Sequence, residues 1–500
     1  MLRRCQQYGP MDRSNREPVD RTITGSEFLQ LDVAEAPRGG VSAWLAARVT
    51  DAIASGALPV GGRLPTSRDL AAELGVSRGV VTEAYRRLAE GGHVVGRGRA
   101  GTVVAHAPPL TSPGPDTPPP PVRFAEPDLG VFGALRAAEA PIDLTPGVPD
   151  LAAFPRSAWL RSERAVLHDL PPGGLGYSDP AGVPVFRAAV AAWLARYRGI
   201  TVAAEEIVVV AGVAQALAIL ARVLPAIGVD RVAVEDPGSF GARRQLEAWG
   251  MPTSPVPVDA LGLDVAALAA DGAPAVLVTP AHQFPTGVLL DGTRRRDLAR
   301  WADSGGWILE DDYDAEHRYD RAPATALRAT MTDRICYAGS LSKTLAPALR
   351  VGWLVVPPRL RTTVVAAKRD LDLGNPTLPQ LVLARLMDSG DLERHLRSVR
   401  SRHRRRRDAM VAALRTHLPD ATIHGAAAGL HLTVTYDGDP GSDVEVAAAA
   451  LERGVKLHPL SWHRSADGAP GLVLGYAAAS PSQIVDGVAT VGDVRHPGGR

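Results

Sequence analysis

Between Ala107 and Phe124 the chain reads APPLTSPGPDTPPPPVRF. Proline has no backbone N–H and holds φ at about −65°, so no helix or central strand can run through such a stretch. What remains is extended polyproline conformation, a semi-rigid spacer. A chain of 500 residues interrupted in this way folds as separate units on either side, in keeping with a length too great for one ordinary core.

The units are expected to be soluble and globular: 45% of residues are hydrophobic, 22% are charged, and the net charge is +1. That balance excludes a polycationic coat, so any contact with nucleic acid must be local. The two cysteines, Cys5 and Cys336, lack disulfide or zinc-ligand spacing. No metal site is indicated, and His282, His431, His458 and His463 read as isolated residues. No apolar run approaches the roughly 18 residues that span a bilayer, and the start MLRRCQQYGPMDRSNREP has no signal-peptide core. The expected location is the cytoplasm, with no membrane contact.

Among 55 basic residues only Lys343, Lys368 and Lys456 are lysines. Where arginine fills nearly every basic role, a lysine is a candidate for chemistry that needs a neutral primary amine, since a guanidinium stays protonated. Lys343 has a context for this; Lys368 and Lys456 are assigned no role.

Residues 1–36 are polar and aperiodic and read as a poorly ordered tail. In 37–105, Trp44, Leu45, Val49 and Ile53 share a helical face, a second short helix spans 67–74, and a third begins at the N-cap candidate Ser77 and ends near Glu90. Two β-prone pieces, 93–95 and 102–104, flank the tip Gly96-Arg97-Gly98-Arg99-Ala100-Gly101. After a linker assigned to 106–141, residues 142–490 alternate strands and helices, predicting an α/β domain on a mainly parallel sheet with ligand groups at the strand ends. From about Gln380 long helices and then strands near Leu430 and Leu472 predict a smaller α+β subdomain. The arginine run 402–407 continues a helix and reads as its solvated face.

In the third helix Val81, Tyr85 and Leu88 face inward while Arg78 and Thr82 share the other face. A helix so placed after a short helix and tight turn can enter a major groove, with Arg97 and Arg99 on a glycine-rich wing reaching phosphates. The segment LPVGGRLPTSRDLAAELGVSRGVVTEAYRRLAEGGHVVGRGRAGTVVA resembles the GntR-type winged helix-turn-helix. The resemblance implies contacts to double-stranded DNA from Arg68, Ser77, Arg78, Thr82 and the wing, Arg97, Gly98 and Arg99. Gly79-Val80 departs from the polar pair usual there.

Cys336 to Arg350 reads CYAGSLSKTLAPALR, after a β-prone run. A strand-end lysine flanked by hydroxyls suits a Schiff base, and Ser340, Ser342 and Arg350 suit a nearby phosphate. Asp311 and Tyr313, at the end of another strand, suit a pyridine nitrogen and a phenolate oxygen. The motifs HQFPTG (282–287), EDDYDAEHRY (310–319) and GSLSKTLAPALR (339–350) resemble those of the MocR branch of GntR regulators, whose large domain is similar to fold-type I aminotransferases. That resemblance implies pyridoxal 5′-phosphate as cofactor and Lys343 as its Schiff-base lysine. Asp311 is the implied ring-nitrogen partner and Tyr313 the implied donor to the phenolate oxygen. Ser340, Ser342, Arg350, Gly212, Val213 and Ala214 form the implied phosphate cradle, with Tyr177 reaching a phosphate across a homodimer.

Departures bear on function. Ser239 replaces the usual ring-stacking aromatic, with Phe240 displaced by one. Phe284 replaces an asparagine, leaving His282 as the candidate substitute. Val473 stands about where amino-acid-binding relatives keep an arginine for the substrate carboxylate. The expected function is a ligand-responsive transcriptional regulator whose effector is pyridoxal phosphate itself or an amino compound; the alternative is a working aminotransferase with an accessory DNA-binding head.

Overall fold

The structure, a computed structural model, describes residues 31–37, 40–96, 101–106, 129–314, 316–319, 325–439 and 442–496. The chain divides into two compact units, up to Thr117 and from Pro118.

In the first unit, α1 (Val41–Ala54), α2 (Ser67–Leu74) and α3 (Arg78–Glu90) precede a hairpin of β1 (Val94–Gly96) and β2 (Thr102–Val104). Leu45, Val49, Leu70, Val81, Leu88 and Val104 meet in its core. Thr66 caps α2 by accepting the Asp69 N–H at 3.2 Å, and Gly75 ends it in the left-handed region at φ 66°. Leu31 packs on this core and Arg48 pairs with Glu35 at 3.5 Å, so the end of the expected tail belongs to the folded head. The wing residues Arg97, Gly98 and Arg99 and the whole proline spacer, 107–124, lie outside the described residues.

The second unit opens with α4 (Leu129–Ala137) and β3 (Ile142–Asp143), then α5 (Arg156–Asp169), α6 (Pro184–Arg198), β4 (Ile207–Val210) and α7 (Val213–Val223). It continues through β5 (Val232–Asp236), α8 (Phe240–Ala248), β6 (Thr253–Asp259), β7 (Gly262–Leu263), α9 (Val265–Asp271), β8 (Ala275–Val278) and α10 (Gly292–Asp303). Next come β9 (Trp307–Asp312), β10 (Ile335–Ser340), β11 (Gly352–Val355), α11 (Pro358–Asp372) and α12 (Thr377–Asp388). A second layer is built from α13 (Asp391–His417), β12 (Thr422–His424), β13 (His431–Thr435), α14 (Ser442–Glu452), β14 (Val455–Lys456), β15 (His458–Pro459), β16 (Gly471–Gly475) and α15 (Pro481–Arg495).

The eight-stranded sheet has the order β4-β11-β10-β9-β8-β5-β6-β7. It is parallel as expected except at β11, antiparallel to both neighbours, and β7. Its strands are apolar on both faces: Ile207–Val210 and Ala275–Val278 are wholly buried, with helices on either side. The smaller sheet runs β12-β13-β16-β15, and one of its faces packs Leu432, Val434, Leu472 and Leu474 against α13 and α15.

Two expectations are corrected. The assigned linker to residue 141 contains α4, because Val131, Phe132 and Leu135 form a helical apolar face that joins the smaller subdomain's core. β3 then pairs in parallel with β14, and Lys456 meets Asp143 at 3.0 Å. The arginine run of α13 is a solvated face only at Arg404 and Arg405. His403 and Arg406 are buried, Asp150 bridges Arg402 and Arg406 at 2.6 and 2.9 Å, and Arg407 lies over the Tyr319 ring.

Candidate functional site

A cavity of about 310 Å³ opens where β4, β9 and β10 end, and Gly212, Val213, Ala214, Asp311, Tyr313, Ser340, Ser342, Lys343 and Arg350 all line it. Neighbouring strands bring these distant residues together: Ala338 of β10 lies opposite Asp311 of the parallel β9, and Ser340 opposite Gly352 of the antiparallel β11.

One end is built for an anion. Gly212, at φ 88° and ψ 176°, turns the chain from β4 into α7, a conformation that favours glycine. The first amides of α7 have no acceptor within the helix and carry the positive end of its dipole. A Cβ added at Gly212 would lie 3.6 Å from Arg350 Nη1 and 3.9 Å from Ser342 Oγ, so these groups converge on the turn. Arg350 itself is left-handed at φ 51°, which costs about 1 kcal/mol for a residue with a Cβ and must be held by its surroundings. Gly352 allows the close approach, since a Cβ there would sit 2.7 Å from the Gly339 carbonyl oxygen.

At the other end stand the amine, a carboxylate and a phenol. Lys343 Nζ donates to the Gly147 carbonyl at 2.6 Å, and a Cβ on Gly147 would come within 2.9 Å of that nitrogen. Burial pulls the Lys343 pKa down, opposed by Asp311 and Asp314, which favours the neutral amine that attacks an aldehyde. Burial, with Asp312 and Asp314 adding like charge, pushes Asp311 up to about 8. Asp311 Oδ1 is buried without a hydrogen-bond partner. A carboxylate so placed lacks a cationic donor, and a pyridinium N–H is one. Burial and the nearby Asp314 and Asp311 hold Tyr313 well above the usual phenol range, so it keeps its proton and can donate. The residues present therefore fit pyridoxal phosphate: anion cradle, amine, orphaned carboxylate and phenol share one cavity.

Three expected cofactor residues lie elsewhere. Phe240 turns away from the cavity and stacks on Phe132 at 5.2 Å, with Arg243 over its ring; Ser239 caps α8 through the Ala242 N–H and lines the cavity in its place. His282 is buried behind Tyr313, its Nδ1 3.0 Å from the Tyr313 hydroxyl and 2.8 Å from Asp314 Oδ2. It acts on the phenol, outside the cavity wall. Tyr177 is 95% exposed on the surface of its own chain. The histidines are not isolated: His431 lies 5.1 Å from His282, and His463 lies 5.0 Å from Phe284 and 5.8 Å from His458, ring to ring. His282, Asp314 and His431 offer atoms close enough for a metal ion, yet His282 Nδ1 is already bound to Asp314 and His431 Nε2 lies 3.1 Å from the Pro285 carbonyl.

Sequence reasoning missed Gly147, Thr279, Leu430 and His431 on the cavity wall. Only Gly147 carries a local signal, the turn dipeptide Pro146-Gly147.

On the head, Arg68, Ser77, Arg78 and Thr82 are exposed. Ser77 occupies the N-cap of α3 without a side-chain capping bond, and Arg78 Nε lies 3.4 Å from Ser67 Oγ. By contrast Arg86 and Arg87 are engaged with Glu83.

Residues 42–104 match the family described as bacterial regulatory proteins, gntR family, and residues 141–489 match aminotransferase class I and II. The chain is 34% identical over 458 residues to a probable rhizopine catabolism regulatory protein MocR of Rhizobium meliloti, covering 87% of this chain and 90% of that one. It belongs to the MocR-type GntR regulators. Identity is also 34%, over 85% of the chain and 89% of the relative, to the HTH-type pyridoxine biosynthesis transcriptional regulator PdxR of Corynebacterium glutamicum. Among solved structures, an archaeal alanine:glyoxylate aminotransferase superposes with a TM-score of 0.67 at 26% identity, over 73% of this chain and 92% of that one. The Pyrococcus horikoshii kynurenine aminotransferase gives 0.66 at 25%, over 74% and 94%. This MocR-type chain is thus a DNA-binding transcriptional regulator whose large unit has the fold of pyridoxal phosphate-dependent aminotransferases. Among its described residues no helix is long and apolar enough to cross a membrane.

Proposed function

We propose that this regulator binds pyridoxal 5′-phosphate in the cavity of its large unit, and that occupancy by the cofactor itself or by an amino compound changes its grip on operator DNA. The observation that carries the cofactor reading is the orphaned Asp311 carboxylate sharing a cavity with Lys343 and the α7 anion cradle. When bound, the cofactor supplies an aldehyde for an amine and a protonated ring that withdraws electrons. The chain's own part is to hold the phosphate with Ser340, Ser342, Arg350 and the Gly212–Ala214 turn, keep Lys343 neutral, and keep Tyr313 protonated beside His282.

Lys343 and Arg350 are the cationic side chains among the described residues lining the cavity, and both are committed to the cofactor in this reading. Val473 is fully buried in β16 between Thr433 and His458, leaving no bidentate partner there for an α-carboxylate. That favours sensing over transamination of an α-amino acid. The protein is proposed to act in the cytoplasm as a homodimer, which gives the exposed Tyr177 a partner site to reach.

The test is the visible absorbance of the purified protein with pyridoxal phosphate, for wild type and Lys343→Ala, beside gel-shift titrations of operator DNA. A band lost in the variant and a DNA affinity changed by cofactor or an amine are expected. Turnover of a common amino acid to its keto acid at ordinary enzymatic rates would move the protein to the aminotransferase reading. No band in the wild type would end the cofactor assignment.

A further inference from the structure

Behind the phosphate end of the cavity, α11 carries a lysine with no exposed surface, Lys368. Its ammonium has three protons to donate, and it meets three acceptors: Gln215 Oε1 at 2.9 Å, Asp372 Oδ2 at 2.5 Å and Asn375 Oδ1 at 2.7 Å. By taking up the oxygens of two amides, it favours one way round for both. Gln215 Oε1 also accepts the Ala211 N–H at 2.7 Å, while its Nε2 donates to Asp372 at 2.7 Å. Asn375 turns its Nδ2 to the Arg350 carbonyl at 3.0 Å.

The two amides thus grip the two backbone segments that form the cradle. Ala211 immediately precedes the Gly212 turn, and Arg350 is the left-handed residue whose guanidinium reaches that turn. The hub continues outward: Gln380 Nε2 donates to the Asn375 carbonyl at 3.1 Å, and its Oε1 accepts the Val183 N–H at 2.8 Å. A hydrophobic residue would fill the same space without the desolvation penalty of a buried ammonium. What it could not do is donate to the oxygens of Gln215 and Asn375 and so tie both amides to one point.

We propose that Lys368 is a positioning residue for phosphate recognition. Through Gln215 and Asn375 it holds the Ala211–Gly212 turn and the Arg350 backbone at the spacing in which the α7 amides, Ser342 and Arg350 converge on one dianion. This inference rests on the cofactor reading above.

The test compares affinities for pyridoxal 5′-phosphate and for pyridoxal, which lacks the phosphate, by titration of the visible band. The variants are Lys368→Met, and Lys368→Met with Asp372→Asn, which removes both charges and protects folding. Both variants are expected to lose about tenfold in affinity for the phosphorylated cofactor, as outer-shell supports of a binding group do, with pyridoxal affinity changed by less than about twofold. The melting temperature of the cofactor-free double variant is expected to stay near the wild type's. Equal losses for the two ligands would make Lys368 a support of the fold at large and overturn the inference, as would unchanged affinity for the phosphorylated form. A wild type that binds neither ligand would sink the cofactor reading and this inference together, whereas wild-type binding with indifferent variants sinks the inference alone.

Discussion

A carboxyl group with one oxygen buried and other carboxylates close by resists ionising, and Asp311 is such a group. Its pKa rises from the ordinary 3.8 to about 8 on folding, so the unfolded chain loses this proton first as pH rises. The protonated acid's contribution is fully present below about pH 3.8, erodes by at most about 1.4 kcal/mol per pH unit above it, and is gone above about pH 8. Asp311→Asn, which cannot titrate, should therefore gain melting temperature over the cofactor-free wild type progressively between pH 4 and 8, and no further above it. Equal melting profiles across that range would show that Asp311 titrates as an exposed acid. That Lys343, Asp311 and Tyr313 line one cavity was legible in sequence because each sits at a strand-end motif. Lys368 was not, since its partner Gln215 is 153 positions away, and a polar hub inside a fold leaves no periodic trace along the chain.

Helices and strands with a clear apolar period read well. The sequence placed α2 over the residues the structure gives it, and α3 within one residue at its start. The antiparallel β11 was missed because Gly352–Val355 is short and follows the lysine motif with little punctuation. The arginine run of α13 misled at Arg402 and Arg406 because charge was read without its acceptors; Asp150 lies 252 residues from Arg402. Two outcomes are expected of the head. Thr66→Ala removes the α2 cap and should lower the head's unfolding free energy by about 1 kcal/mol in urea melts. Arg68→Ala should reduce the slope of log affinity against log salt for a random duplex by about one; an unchanged slope would remove Arg68 from the phosphate contacts.

At the scale of the whole molecule, linkage sets a strict condition on the proposed regulation. If the cofactor changes operator affinity by some factor, saturating operator must change cofactor affinity by the same factor. Titrating the visible band with and without operator duplex measures this, and a cofactor affinity indifferent to DNA, beside an operator affinity that responds to cofactor, would break the scheme.

The parallel pairing of β3 with β14, and the seating of Leu135 of α4 in the smaller subdomain's core, decide where this gene can be cut. A fragment starting at Pro118 keeps both elements and should be a self-sufficient folding unit. One starting at Thr145, after the last residue of β3, leaves an unpaired strand edge and an apolar socket facing water, and such surfaces aggregate. The segment that looks in sequence like the tail of a linker is thus the first stave of the large unit, to be kept whole in any dissection or domain exchange.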